Sequence, residues 1–162
     1  MTRASSRWSE FRAQGGLLVA AQFALMAGIT VAWFLPPEWP DSVRRPLNVL
    51  GIVLALLGVG LAIWAYRSLG RSFTTYTTPP AGAERVEGGP YRLVRHPMYG
   101  GGILLFAGIS LAFSISALVL TAVLAVLWRA KSAVEERELV ARFPGYEAYR
   151  VGTPRRFLPF VY

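Results

Sequence analysis

The stretch Gly89-Pro90-Tyr91-Arg92-Leu93-Val94-Arg95-His96-Pro97-Met98-Tyr99-Gly100-Gly101 gathers the chain's single histidine with two tyrosines and two arginines. An apolar run begins at its end. Polar groups held at the edge of a bilayer are costly unless they are used. A soluble cofactor and a greasy substrate can meet at such a place. His96 is the one imidazole available for proton transfer, and Pro97 fixes the backbone beside it. A second concentration of chemistry is the pair Glu135-Glu136. At 3.6 residues per turn, Trp128, Lys131, Glu135 and Leu139 lie on one stripe that continues upstream through Leu120, Leu124 and Leu127. Glu135 is therefore expected to face the inside of a bundle, where a carboxylate can accept hydrogen bonds from ribose hydroxyls. Lys131 lies one turn nearer the lipid. Glu138 reads as part of a solvated helix face. The tail Arg155-Arg156-Phe157-Leu158-Pro159-Phe160-Val161-Tyr162 mixes charge and aromatics. It reads as an interfacial anchor or as a lid folded over a cofactor.

The elements that must position these groups follow from hydropathy. The 162 residues suit one domain and are 54% hydrophobic, with a mean hydropathy of +0.41. Gly15–Leu35, Pro46–Tyr66 and Met98–Trp128 carry no formal charge. A bilayer core takes about 20 apolar residues per helix. The first two runs fit one crossing each, and the third fits a hairpin turning at Phe113-Ser114-Ile115-Ser116, with a short first arm. The expectation is an all-α integral membrane bundle of four transmembrane helices, at about 15–35, 46–68, from 98, and from 116, with no Rossmann domain. The fourth continues into the cytoplasm as Arg129–Arg142, and Phe143-Pro144-Gly145 ends it. The first run leads into Pro36-Pro37 without a small-x-small cleavage pattern, so it is expected to stay as a helix rather than leave as a signal peptide. Residues 1–14 read as mobile or interfacial, and Pro36-Pro37-Glu38-Trp39-Pro40 as a stiff outer turn. Residues 69–97 form a long polar connection whose aromatics (Phe73, Tyr76, Tyr91) argue against disorder. The chain divides into an N-terminal two-helix part, 1–68, and a catalytic part, 69–162.

The net charge is +8, but its placement argues for topology rather than nucleic-acid binding. With four crossings, one side carries 15 Lys and Arg and the other carries two, Arg44 and Arg45. By the positive-inside rule, both termini and the 69–97 connection are expected in the cytoplasm, at the inner membrane, with anionic headgroups as partners. The absence of cysteine excludes disulfides, thiol catalysis and thiolate metal sites. One histidine alone makes no typical zinc site. Arginine outnumbers lysine sixteen to one, which suggests a bacterium with a GC-rich genome.

Leu93-Val94-Arg95-His96-Pro97-Met98-Tyr99-Gly100-Gly101 contains Arg-His-Pro-x-Tyr-x-Gly. Gly89-Pro90-Tyr91 precedes it; Glu135-Glu136, Leu139, Phe143, Tyr146, Tyr149 and Arg155-Arg156-Phe157-Leu158-Pro159 follow. Over about residues 69–162 this resembles the isoprenylcysteine carboxyl methyltransferase family, whose wider group includes phospholipid N-methyltransferases. The resemblance implies a helical membrane methyltransferase using S-adenosylmethionine on a lipophilic acceptor: an isoprenoid- or lipid-like carboxylate, amine or thiol. It places the cofactor against Ala83, Glu84, Arg85, Val86, Tyr91, His96, Pro97, Met98, Tyr99 and Glu135. His96 and Tyr99 are then the candidate catalytic residues. Lys131 stands where relatives carry an arginine near the substrate; it keeps the charge without the planar fork. Two alternatives stand beside it: a non-enzymatic four-helix membrane protein, such as a small transporter or assembly factor, and a sterol-type NADPH reductase, a class with a similar C-terminal helical layout.

Overall fold

In a computed structural model, which describes residues 2–36 and 39–159, every regular element is helical. These are α1 (Thr2–Ala13), α2 (Gly16–Ala32), α3 (Asp41–Leu69), α4 (Pro97–Phe113), α5 (Ile115–Arg142) and α6 (Tyr146–Gly152), with 3-10 turns at Gly70–Ser72 and Gly89–Arg92. Two helices, Asp41–Ser72 and Ile115–Arg142, are long and apolar enough to cross a membrane. A third candidate is the broken pair Arg7–Ala13 and Gly16–Ala32, bent by 73°. The bend falls at Gly15, whose φ of 75° lies in the left-handed region that glycine enters without a Cβ clash. The hairpin expected from the third run is present, and Ser114 turns it. Its first arm, α4, has 17 residues and is about 25 Å long at 1.5 Å per residue. That is short of a hydrocarbon core of about 30 Å.

The helices stand in the order α2, α5, α4, α3, with the closest packing between α3 and α4. Small residues make that contact. Gly51 faces Gly108, and Gly58 faces the motif glycine Gly101. A Cβ on Gly101 would meet the backbone of Ala62 and Gly58, and one on Gly58 would strike Gly101 and Leu105. Backbones that approach this closely replace the hydrophobic drive that lipid cannot supply. Ile29, Ala32, Phe106, Ala117, Leu124 and Trp128 join α2, α4 and α5 in a buried cluster. The outer face of α3 (Leu50, Val53, Leu56, Leu57, Trp64) is exposed and apolar, as a lipid-facing surface should be.

Several boundaries differ from the expectation. Residues 2–13 are helical rather than mobile, and the carbonyl of Gln14 accepts from both Thr77 N (3.1 Å) and Thr77 Oγ1 (3.0 Å). α3 starts at Asp41, so Pro46 lies inside it. Residues 41–46 are exposed, where one missing hydrogen bond is tolerated. A further helix, α6, precedes the tail, whose last three residues, 160–162, lie outside the described residues, as do Pro37 and Glu38 of the outer turn.

Candidate active site

Counting outward equally from Ser114 along the two arms pairs His96 with Ser132. The hairpin thereby brings the start of α4 level with the last third of α5, and a cavity of about 390 Å³ opens there. That volume is in the usual range for small-molecule sites, about 300–1,000 Å³. The 83–86 segment, Tyr91, His96, Met98, Tyr99, Lys131 and Glu135 all line it. Pro97 does not; it is buried as the first residue of α4 and sets the backbone that aims its neighbours.

His96 sits between two carboxylates. Its Nε2 is 3.0 Å from Glu136 Oε1 and its Nδ1 3.6 Å from Glu135 Oε2. The ring stacks on Tyr99 at 5.8 Å, and Tyr99 stacks in turn on Trp128 at 5.2 Å. Tyr99 Oη donates to Glu135 Oε1 at 2.6 Å. The imidazole and the first acid of the pair therefore share one cavity, as the stripe along α5 predicts.

Glu136, one residue on, does different work that the stripe does not reveal. It is 3% exposed and accepts from Arg95 Nε (2.8 Å) and Arg156 Nη2 (3.1 Å) besides its contact with His96. Arg95 Nη1 donates to the carbonyls of Thr153 (2.7 Å) and Pro154 (2.6 Å). Backbone bonds complete the clamp: Arg95 N donates to Arg155 O (3.0 Å) and His96 N to Arg156 O (2.7 Å). Phe157 meets His96 and Tyr99 edge-on. The described tail residues, 155–159, thus lie behind the motif, outside the cavity lining, and brace His96.

Lys131 is 1% exposed. Its Nζ donates to Gln22 Oε1 (3.0 Å) and Thr75 O (2.6 Å), lies 3.6 Å from Glu135 Oε1 and sits 5.4 Å from the Tyr99 ring centroid. Gln22 and Thr75 are partners that sequence reasoning missed. Gln22 carried a signal, since it is the one amide in the first charge-free run.

The 72–87 segment is strapped over the cavity by side chains from α5 and the turn after it. Arg142 donates to Pro79 O and Pro80 O (2.8 and 3.0 Å), Arg85 Nη1 to Pro144 O (2.8 Å), and Glu84 N to Ser72 Oγ (3.0 Å). Tyr149 Oη donates to Tyr91 O at 2.7 Å. Burial and then the charge of Glu87 and its neighbours push the Tyr149 phenol up to about 12. Burial likewise raises Tyr91 and Tyr146. All three remain neutral hydroxyls near pH 7 and cannot serve there as phenolate bases.

With this geometry in view, residues 47–144 match the phospholipid methyltransferase family. The cobalt-zinc-cadmium resistance protein CzcN of Cupriavidus metallidurans is 32% identical over 124 residues, which is 74% of this chain and 51% of that protein. Phosphatidylethanolamine N-methyltransferase A of Dictyostelium discoideum is 29% identical over 133 residues, 76% of this chain and 62% of that protein. The chain spans about half to three fifths of the length of these curated relatives. It belongs to the phospholipid methyltransferase family. The matched region takes in α3, α4 and α5 and so supplies most of the cavity wall; α2, with Gln22, lies before it.

Proposed function

We propose that this protein is an integral-membrane methyltransferase that uses S-adenosylmethionine and methylates a lipophilic acceptor taken from the bilayer. The observation that carries the reading is the two-ended cavity. Its lining combines polar groups, Glu84, Arg85, Tyr91 and Glu135, with apolar ones, Phe23, Met26, Leu105 and Phe106, and Leu105 and Phe106 lie more than two turns along α4 from His96, deeper in the bundle. The chemistry of the polar end suits the donor. Carboxylates of Glu84 and Glu135 can accept from ribose hydroxyls. Tyr91 offers a ring face, against which a cation gains about 0.5–2 kcal/mol, and Tyr99, already stacked on His96 and Trp128, presents its edge and hydroxyl. Ala83–Val86, His96 and Met98 would hold the rest. When bound, S-adenosylmethionine supplies an activated methyl group on a sulfonium. The protein's own task is to align acceptor and donor, and alignment contributes about 7–11 kcal/mol in favourable cases. His96 is held in one orientation by Glu136 and Tyr99. In this reading its Nδ1, the nitrogen not bonded to Glu136, takes a proton from an amine or thiol acceptor, whereas a carboxylate acceptor needs no base. In this reading residues 69–162 hold the donor, and helices of the 1–68 part wall the acceptor end. The donor side faces the cytoplasm at the inner membrane, where the basic residues gather.

Calorimetry on detergent-purified protein tests the donor site. S-adenosylmethionine and its demethylated product should bind, and His96→Ala or Glu135→Ala should each weaken binding at least tenfold, about 1.4 kcal/mol. Unchanged affinity in the folded double variant would refute the site. Labelled methyl transfer into total lipid extract, followed by mass spectrometry, then identifies the acceptor.

A further inference from the structure

Gln22 is the one amide in α2, a helix without a formal charge, and it is 6% exposed. Polar side chains in such helices are costly unless partnered or used. Its oxygen is fully engaged: Oε1 accepts from Trp128 Nε1 at 3.1 Å and from Lys131 Nζ at 3.0 Å. An indole N–H and an ammonium can only donate, so the amide cannot be turned the other way. The two N–H groups of its Nε2 are left over, and they make no hydrogen bond among the described residues. Gln22 lines the cavity, as do Phe23, Met26 and Phe106, and its partner Lys131 lies 3.6 Å from Glu135 on the polar side. A fixed pair of donors therefore stands in a greasy chamber with the Lys131 cation directly behind it.

We infer that Gln22 recognises the methyl acceptor: its amide N–H groups donate to an oxygen of the headgroup, and Lys131 favours an oxygen that carries negative charge, a carboxylate or a phosphodiester. This rests on the reading of the cavity as a methyl-transfer site with the donor at the polar end. The apolar walls take the chain of the acceptor, and the amide fixes how deeply its headgroup enters. Gln22 lies before the family-matched region and reaches Glu135 only through Lys131.

The test compares wild type with Gln22→Glu and Gln22→Met. Gln22→Glu keeps an oxygen for Trp128 and Lys131 but replaces the amide donors by a carboxylate, and Gln22→Met removes the donors without adding a charge. Each protein is titrated by calorimetry with S-adenosylhomocysteine, and in mixed micelles with dioleoylphosphatidylethanolamine and with N-acetyl-S-farnesylcysteine. The expected result is S-adenosylhomocysteine affinity within twofold in all three. Wild type should bind at least one of the two lipids, and both variants should bind that lipid at least tenfold more weakly. Which lipid binds separates the phosphodiester from the carboxylate. Wild-type lipid affinity in Gln22→Glu overturns the inference, and so does a wild type that binds neither lipid; should Gln22→Met fail to fold, Gln22→Glu decides. Gln22-dependent lipid binding without S-adenosylhomocysteine binding would keep the headgroup site and remove the methyl-donor reading.

Discussion

Glu135 and Glu136 are neighbours with opposite surroundings, because successive residues on a helix point about 100° apart. Glu135 looks into the cavity, where Tyr99 donates to it. Glu136 looks the other way, into a knot with Arg95, His96 and Arg156. Removing one partner of a buried ion pair typically costs about 3–5 kcal/mol, since the other charge stays buried alone. Glu136→Ala should therefore lower the unfolding free energy by about that much in a detergent–denaturant titration. Glu135→Ala should cost less stability and act mainly on donor binding. Equal destabilisation by the two substitutions would contradict this division of roles. The stripe through Trp128, Lys131 and Leu139 was enough to aim Glu135. It said nothing of Glu136, because a helical period gives a direction and not a partner. The partners of Glu136 stand 40 and 41 residues back and 20 residues on. Gln22 escaped notice for the same reason, with its lysine 109 residues away.

The α3–α4 contact is built at the scale of the element, and the motif glycine belongs to it. Gly101 closes on the backbone of α3 at Gly58 and Ala62, so the same short motif supplies both cavity residues and the helix interface that holds them. Gly101→Leu should force the two helices apart and displace His96 and Tyr99 with them. We expect loss of the monodisperse folded species on size-exclusion chromatography. A mild variant on the lipid face, Leu56→Ala, should leave it intact, since Leu56 is 67% exposed. A folded Gly101→Leu protein with normal donor affinity would show that the close approach is dispensable. The four apolar helices were legible from charge-free runs, and Ser114 was legible as their turn. Its hydroxyl accepts from Ala117 N at 3.3 Å, an ordinary helix N-cap. α1 and α6 were not legible. Both are short and polar, and they are held by contacts with distant segments, Thr77 on Gln14 and Tyr149 on Tyr91, rather than by an apolar period of their own.

At the scale of the whole molecule, the bundle has two unlike ends. The hairpin turn meets the end of α2, where Ser114 Oγ and Ser116 Oγ donate to the carbonyls of Leu35 and Pro36 (3.4 and 3.5 Å). The opposite end collects α1, the 72–87 strap, the polar half of the cavity, and α6. It also holds most of the basic side chains. Near an anionic leaflet each Lys or Arg contributes about 1 kcal/mol of attraction, so an asymmetry of 15 basic residues against two supports the proposed orientation, with this end inward. The chain has no cysteine, so a single introduced thiol reports its own side. Asp41, with its side chain 92% exposed, marks the hairpin end, and Glu138, also exposed, marks the other. In inside-out inner-membrane vesicles an impermeant maleimide should label Glu138→Cys and spare Asp41→Cys. In right-side-out spheroplasts the pattern should reverse. The same experiment locates the donor, because the polar half of the cavity opens at the Glu138 end. The proposed donor, a water-soluble sulfonium, would reach that site from the cytoplasm only if the end is inward. Labelling of both positions from one side would mean that α3, α4 and α5 do not all cross, and the two-ended cavity would lose the bilayer that its apolar half requires.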